Sequence, residues 1–258
     1  MIKAVDHIVI VVHDLALARG DYEALGFTVV PGGEHAGGLT HNALVALADG
    51  AYLELVAFRQ APPADHIFYR PHGQEGLVAF ALLPSDIEGD INAARARGLD
   101  VQGPVAGGRT RPDGARIEWR LGLSVGRDLP FLCADITPRD LRVPSGPACL
   151  HANRAQGVAA VVVVVNHTDA VARYSALLGT QPLPDWKQAE EAGQIARFKV
   201  GGTAIVLIRP EQGLAADYLH ERGEGPYEVR LRASGVSEPV ALDPARTHGA
   251  RILLVPAA

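Results

Sequence analysis

Two polar residues sit inside runs that otherwise read as apolar strands: His7 in Asp6-His7-Ile8-Val9-Ile10 and Glu54 in Tyr52-Leu53-Glu54-Leu55-Val56. Strand alternation groups His7 with Val9 and Val11 on one face, and Glu54 with Tyr52 and Val56. A carboxylate in such company is costly to bury unless a cation, a metal or several donors compensate it. Imidazole and carboxylate are donors that zinc, nickel, manganese and ferrous iron accept, so His7 and Glu54 are candidate ligands of a divalent metal. The same two residues would also serve as a hydrogen-bonded core pair, or as polar groups on an open sheet. If burial raises its pKa towards working pH, Glu54 is in addition a candidate general base.

Further candidates lie between these two strands and beyond them. The stretch Pro31 to Gly38 reads as a glycine-rich loop entering the strand next to Glu54, where His35, Thr40 and Asn42 are candidate substrate-binding groups; an ordinary turn is the alternative. Trp119 shares a strand face with Ile117 and Leu121, which suits core packing or a substrate wall. His35 or His41, and His66 or His72 from the segment 65–73, are imidazoles that would extend a metal set. His13 and His167 flank helix starts, His220 and His248 read as exposed, and Cys133 reads as an inert thiol in an apolar strand. No Walker, Gly-x-Gly-x-x-Gly or His-Glu-x-x-His pattern occurs.

The elements that must position these groups repeat along the chain. Asp6–Val12 reads as a strand, Asp14 as a cap, and Leu15, Ala18, Tyr22 and Leu25 as a helix face that stops at Gly26. Strands around 28–30, 42–47 and 51–58 follow, with Asp49-Gly50 as a hairpin turn. A second unit begins at 77–83, caps at Ser85 or Asp86, ends its helix at Gly98 and continues in strands 116–121 and 129–133. A third begins at 159–165, caps at Asn166 or Thr168, ends at Gly179 and continues in strands 195–200 and 203–208. The fourth is truncated: a strand at 227–233, a helix opened by Asp243-Pro244 and stopped by Gly249, and a strand at 252–255. The expected fold is α+β, with βαβββ modules paired into curved mixed sheets around a concave pocket. Residues 1–136 form one region, 137–157 a linker, and 158–258 a second region.

The chain has 258 residues, 48% of them apolar, with a formal charge of −5 and no basic block, which argues against nucleic acid as a partner. Two cysteines, Cys133 and Cys149, give no disulfide framework, and the N-terminus has no signal-peptide character. A cytoplasmic protein acting on a small molecule, as monomer or homodimer, is expected, without a membrane partner.

Asp6-His7 on the first strand, the helix ending Leu25-Gly26-Phe27, and Tyr52-Leu53-Glu54-Leu55 on the fourth strand resemble a module of the vicinal oxygen chelate superfamily. That group contains glyoxalase I, extradiol dioxygenases and bleomycin-resistance proteins. The strings Pro31-Gly32-Gly33-Glu34-His35 and Thr40-His41-Asn42-Ala43-Leu44, with Trp119 and Leu129-Pro130-Phe131-Leu132, are similar to its glyoxalase-like domain branch, as is His151-x-Asn153. The resemblance implies two modules closing around a cup, with His7 and Glu54 as one module's metal pair. Superposing the helix-end glycines puts Ala79 and Phe131, and in the third unit Ala160 and Val206, at the matching positions, none of them a ligand. The resemblance therefore implies metal-assisted lyase or isomerase chemistry on a substrate with vicinal oxygens, with a dioxygenase less favoured. A metal-free drug- or metabolite-binding protein is the alternative.

Overall fold

The computed structural model describes residues 1–64, 66–69, 74–184 and 193–257. The first repeat comprises β1 (Ile2–Val12), α1 (Leu15–Ala24), β2 (Val30–His35), β3 (Thr40–Ala46) and β4 (Tyr52–Phe58). The second comprises β5 (Gly76–Pro84), α2 (Ile87–Ala96), β6 (Val101–Thr110), β7 (Arg116–Ser124) and β8 (Phe131–Asp135). Their strands close into a barrel in the order β1-β4-β3-β2-β6-β7-β8-β5. Parallel β1 and β4 place Val9 opposite Glu54 and His7 opposite Tyr52.

The helix boundaries follow their caps. Asp14 accepts the backbone N–H groups of Ala16 and Leu17 at 2.8 and 3.0 Å, and α1 and α2 are followed by Gly26 and Gly98 at φ +86° and +87°. Asp86 stands at the start of α2 without bonding through its side chain; Asp90 instead accepts from the Ser85 and Asp86 N–H groups at 3.0 and 3.3 Å.

Pro31 to His35 is not a loop: it belongs to β2, which closes the barrel by pairing Glu34 with Thr110 and His35 with Arg109 on β6. Glycine is what permits the seam. A Cβ on Gly33 would lie 2.0 Å from the Thr110 carbonyl oxygen, and the backbone there has φ +136°. Strand β6 itself, Val-Gln-Gly-Pro-Val-Ala-Gly-Gly-Arg-Thr, has neither apolar alternation nor β-branched density to announce it.

The second half is an open sheet ordered β10-β11-β9-β12-β14-β13. Its elements are β9 (Ala155–Val164), α4 (Ala170–Leu178), β10 (Gln194–Val200), β11 (Thr203–Ile208), α5 (Leu214–Arg222), β12 (Gly225–Ala233), β13 (Val240–Ala241) and β14 (Arg251–Pro256). Helix α4 begins after Asp169 and not at Asn166 or Thr168, and Gly179 ends it in the left-handed region. The helix expected after Asp243-Pro244 is a turn: the Asp243 carbonyl accepts from Arg246 and Thr247 at 3.0 Å, and Gly249 reverses the chain before a second helical turn forms. Helix α5, which no periodicity announced, lays Ala215, Tyr218 and Leu219 against Val162, Val164, Val206, Ile208 and Tyr227. That contact covers the face of the second sheet opposite the one packed in the barrel's cluster.

Segment 137–157 is more than a linker. It carries α3 (Arg139–Arg142) and a 3-10 turn at Gly146–Cys149, and it is stapled to the barrel by His151, whose Nδ1 accepts from Thr28 N–H at 3.0 Å while Nε2 donates to the Ala46 carbonyl at 2.9 Å. Asn153 adds a bond to the Leu25 carbonyl at 2.9 Å. His248 is buried, not exposed, with its ring nitrogens 3.1 Å from Glu75 and 3.2 Å from Asp21. Among the described residues no helix is long and apolar enough to cross a membrane.

Candidate active site

Alternation along β1 and β4 turns Val9, Val11 and Val56 into the barrel lumen, where they pack with Val78, Ile117, Trp119, Phe131 and Cys133. His7 and Glu54 point the same way and line a cavity of about 370 Å³. Asp6, next to His7 at a bulge of β1, is fully buried. Its carboxylate accepts from Arg142 Nη1 and Nη2 at 2.7 and 2.9 Å, from Arg139 Nη1 at 2.6 Å, and from His7 Nδ1 at 2.6 Å. Burial alone would raise the Asp6 pKa; His7 and Arg142 outweigh it and hold the carboxyl far below its usual range. A carboxylate can only accept, so the network places the His7 proton on Nδ1 and leaves Nε2 facing the lumen. The imidazole is further fixed by Tyr52, whose ring stacks on it at 4.8 Å and whose hydroxyl accepts from Arg142 at 2.8 Å.

Across the lumen, His7 Nε2 lies 3.4 Å from Glu54 Oε2, and His35 Nε2 lies 3.3 Å from Glu54 Oε1. His35 Nδ1 is 2.8 Å from Thr40 Oγ1, and the Asn42 amide donates to Glu54 Oε1 at 2.6 Å. Burial pushes the Glu54 pKa up, but His35, His7 and Asn42 together bring it down to about 2. The carboxylate is therefore ionised at neutral pH, against the expectation that burial would tune it towards a base.

The donor set suits a divalent ion. Two donors held at about 2.1 Å from a tetrahedral centre lie roughly 3.4 Å apart, which is the spacing of both imidazole–carboxylate pairs and longer than an ordinary N–H···O bond. The Asp6–His7 contact is the carboxylate support that metal-bound imidazoles usually have. Asn42 Oδ1 is buried without a partner, a further polar atom at this wall. Among the described residues only Asp6, His7 and Cys133 place one ligand atom each within 4.8 Å of one another, the two imidazole contacts of Glu54 being pairwise and on opposite oxygens. Asp6 is already saturated by two arginines, however, and burial pushes the Cys133 thiol up, so His7 is the member of that cluster left for an ion on the lumen side.

Other candidates are sorted by the same geometry. Thr40 and Asn42 line the lumen, whereas His41 alternates to the other face of β3. Trp119 both packs in the lumen core and meets His35 edge-on at 5.9 Å. His66 lines the cavity and its Nδ1 accepts from Phe68 N–H at 3.1 Å; His72 lies outside the described residues. In the second module Ala81 pairs with Phe131 as Val9 pairs with Glu54, so the matching positions are apolar as the superposition implied. Arg109, Arg142 and Tyr52 also line the cavity and were not singled out by sequence. Arg109 was hidden in the glycine-rich β6 and Arg142 in the segment read as linker.

Comparison with known proteins agrees with this architecture. The sequence profile of the glyoxalase-like domain family matches residues 5–178. No curated protein matches the sequence. Among solved structures, a hypothetical protein from Staphylococcus aureus superposes with TM-score 0.76 at 16% identity over 100% of both chains. A variant of 4-hydroxymandelate synthase from Streptomyces coelicolor superposes with TM-score 0.63 at 15% identity, over 95% of this chain and 79% of that one. A xylose isomerase-like TIM barrel/4-hydroxyphenylpyruvate dioxygenase fusion protein gives TM-score 0.55 at 17% identity, over 91% of this chain and 37% of that one. At these identities the likeness is one of fold. With two βαβββ modules closed around a lumen and the family match spanning both, the chain belongs to the glyoxalase-like domain family of the vicinal oxygen chelate superfamily.

Proposed function

We propose that the protein is a small-molecule enzyme whose barrel lumen holds a divalent metal on His7 and Glu54, with His35 at the other carboxylate oxygen as a further imidazole that would have to move closer to share the ion, and acts on a substrate with adjacent oxygen atoms. The observation that carries this reading is the pair of imidazole nitrogens at 3.4 and 3.3 Å from the two oxygens of one buried, ionised carboxylate. A divalent ion bound there supplies Lewis-acid stabilisation of the negative charge that builds up when a carbon beside two oxygens loses a proton, the requirement of lyase and isomerase chemistry. Asp6 fixes the His7 tautomer, Thr40 orients His35, and Asn42 holds Glu54 in place. Trp119, Phe68, Phe131 and Tyr52 wall the lumen and exclude water from the reacting atoms. Glu54 is too acidic for efficient proton abstraction while His35, His7 and Asn42 surround it, so its part in this reading is to hold the ion.

His35 favours a second reading. Two imidazoles and one carboxylate are the donor set of ferrous oxygenases, and His35 supplies the second imidazole from β2, outside the positions that the repeat equates. The experiment is elemental analysis of untagged protein beside His7→Ala, Glu54→Ala and His35→Ala variants that stay folded by circular dichroism. Near-stoichiometric metal that is lost in the His7 and Glu54 variants supports the enzyme reading, and the identity of the metal directs lyase, isomerase or oxygenase assays. Protein that holds no metal and cannot be loaded overturns it in favour of a metal-free binding protein.

A further inference from the structure

The charges inside the barrel do not balance locally. Asp6 and Asp135 are matched by Arg139 and Arg142 in one closed cluster. Glu54 faces His7 and His35. Arg109 is left over: it is 5% exposed, and among the described residues it makes no ion pair. Its guanidinium donates to two neutral acceptors, the Gly32 carbonyl and the Arg142 carbonyl, the latter at 2.8 Å. Three of the five N–H donors of an arginine are thus without an acceptor. A buried cation in this condition is expensive, and burial indeed lowers the Arg109 pKa.

Its position says what the cation is for. Arg109 lies on β6 opposite His35 at the barrel seam, and it lines both the inner cavity of about 370 Å³ and a wider one of about 850 Å³ that shares His35, Gly107, Gly108 and Trp119 with it. Glycine lets the Trp119 indole lie flat against the neighbouring wall: a Cβ on Gly107 would lie 2.3 Å from the indole nitrogen. We infer that Arg109 is a specificity-determining residue that binds the carboxylate of the substrate, and that the substrate is a small organic acid with a compact apolar body. A planar guanidinium fork with free donors matches a carboxylate, and Trp119, Phe131, Phe68 and Leu121 offer the apolar body its wall. The inference rests on the barrel lumen being the substrate site; it does not require the metal.

The test compares acids with their neutral amides. Benzoate, phenylacetate and hexanoate are titrated calorimetrically against benzamide, phenylacetamide and hexanamide, with the protein as purified and after chelator treatment. The expected result is that at least one acid binds tighter than its amide by about tenfold or more, and that this preference disappears in Arg109→Gln and is partly kept in Arg109→Lys. It also persists after chelator treatment, which separates the inference from the metal reading: protein that holds no metal and cannot be loaded yet keeps the acid preference leaves Arg109 in its role while the metal set falls. If Arg109→Gln does not fold, the acid-over-amide preference of the wild type and its change in Arg109→Lys carry the test. No acid preferred over its amide, or a preference unchanged without the guanidinium, overturns the inference. Phenyl phosphate binding tighter than every acid overturns the carboxylate assignment in favour of a phosphate ester.

Discussion

At neutral pH the Glu54 carboxylate is charged although the residue is buried, because His35, His7 and Asn42 together outweigh the cost of taking it out of water. That balance has a sign that can be measured. The folded pKa of about 2 lies below the ordinary value of 4.5, so this carboxylate contributes stability that is fully present above pH 4.5 and is lost as pH falls towards 2. Glu54→Gln should therefore be less stable than wild type by up to about 3 kcal/mol at pH 7, with the gap closing in acid. Urea denaturation at pH 7, 5 and 3 reads this directly; a gap that stays constant or widens in acid would show that the carboxylate is not stabilised by its neighbours. A metal bound at Glu54 would steepen the same dependence, and stripping it with chelator should return the shallower curve. His7 and Glu54 were legible in sequence because a polar residue interrupting a β-branched run is conspicuous. Arg109 and Arg142 were not, because their own strand and helix carry no pattern; apart from the local Arg142–Asp135 pair, what they bond comes from chain more than thirty residues away.

Among the elements, β2 and α3 decide whether the site exists. Strand β2 brings His35 to Glu54 only because the chain crosses the Thr110 carbonyl at Gly33. Gly33→Ala adds a clash with backbone and a disfavoured φ, so a loss of about 1–3 kcal/mol is expected from strain of this kind. Since the seam must open to relieve it, the variant should also lose metal loading or acid binding by more than its melting temperature suggests. A Gly33→Ala protein that melts lower yet binds normally would show that His35 is placed independently of the seam. Helix α3 supplies Arg142, 2% exposed in its side chain, to a carboxylate with no exposure at all. Arg142→Met leaves Asp6 facing one arginine and should cost on the order of 3–5 kcal/mol, whereas Asp6→Asn with Arg142→Met together should cost less than the two losses summed. A double-mutant cycle by chemical denaturation checks the coupling. These two elements are also where the sequence misled: glycine density made β2 read as a loop, and three prolines made 137–157 read as a linker. The strands that read as apolar runs, β1, β4, β5 and β9, and the helices closed by glycine, α1, α2 and α4, were readable because one local rule governs each.

On the scale of the whole molecule, the repeat accounts for the barrel but not for what the second half does. The outward face of the barrel, Ile8, Ile10, Leu53, Leu55 and Phe80, belongs to the same apolar cluster as Val161, Val163, Phe198, Ile205 and Leu207 of the open sheet. His248 reaches Asp21 and Glu75, Arg232 reaches Asp49, and the Tyr174 hydroxyl reaches the Asp128 carbonyl at 2.6 Å, so polar ties as well as packing cross between the halves. Helix α5 meanwhile covers the other face of that sheet, so the sheet is packed on both sides and stands as a buttress for the barrel. Two regions that sequence repetition separates are thus one unit in energy. The consequence is a single cooperative transition: tryptophan fluorescence and far-ultraviolet circular dichroism should give coincident urea curves with one midpoint. The chain cut after residue 136 exposes the Ile8–Leu55 face and loses the α3 arginines that neutralise Asp6, so it should be recovered aggregated or molten and without metal or acid binding. A soluble 1–136 fragment with a sharp transition and native ligand binding would instead mean that the barrel is self-sufficient and that the second half serves some purpose other than holding it closed.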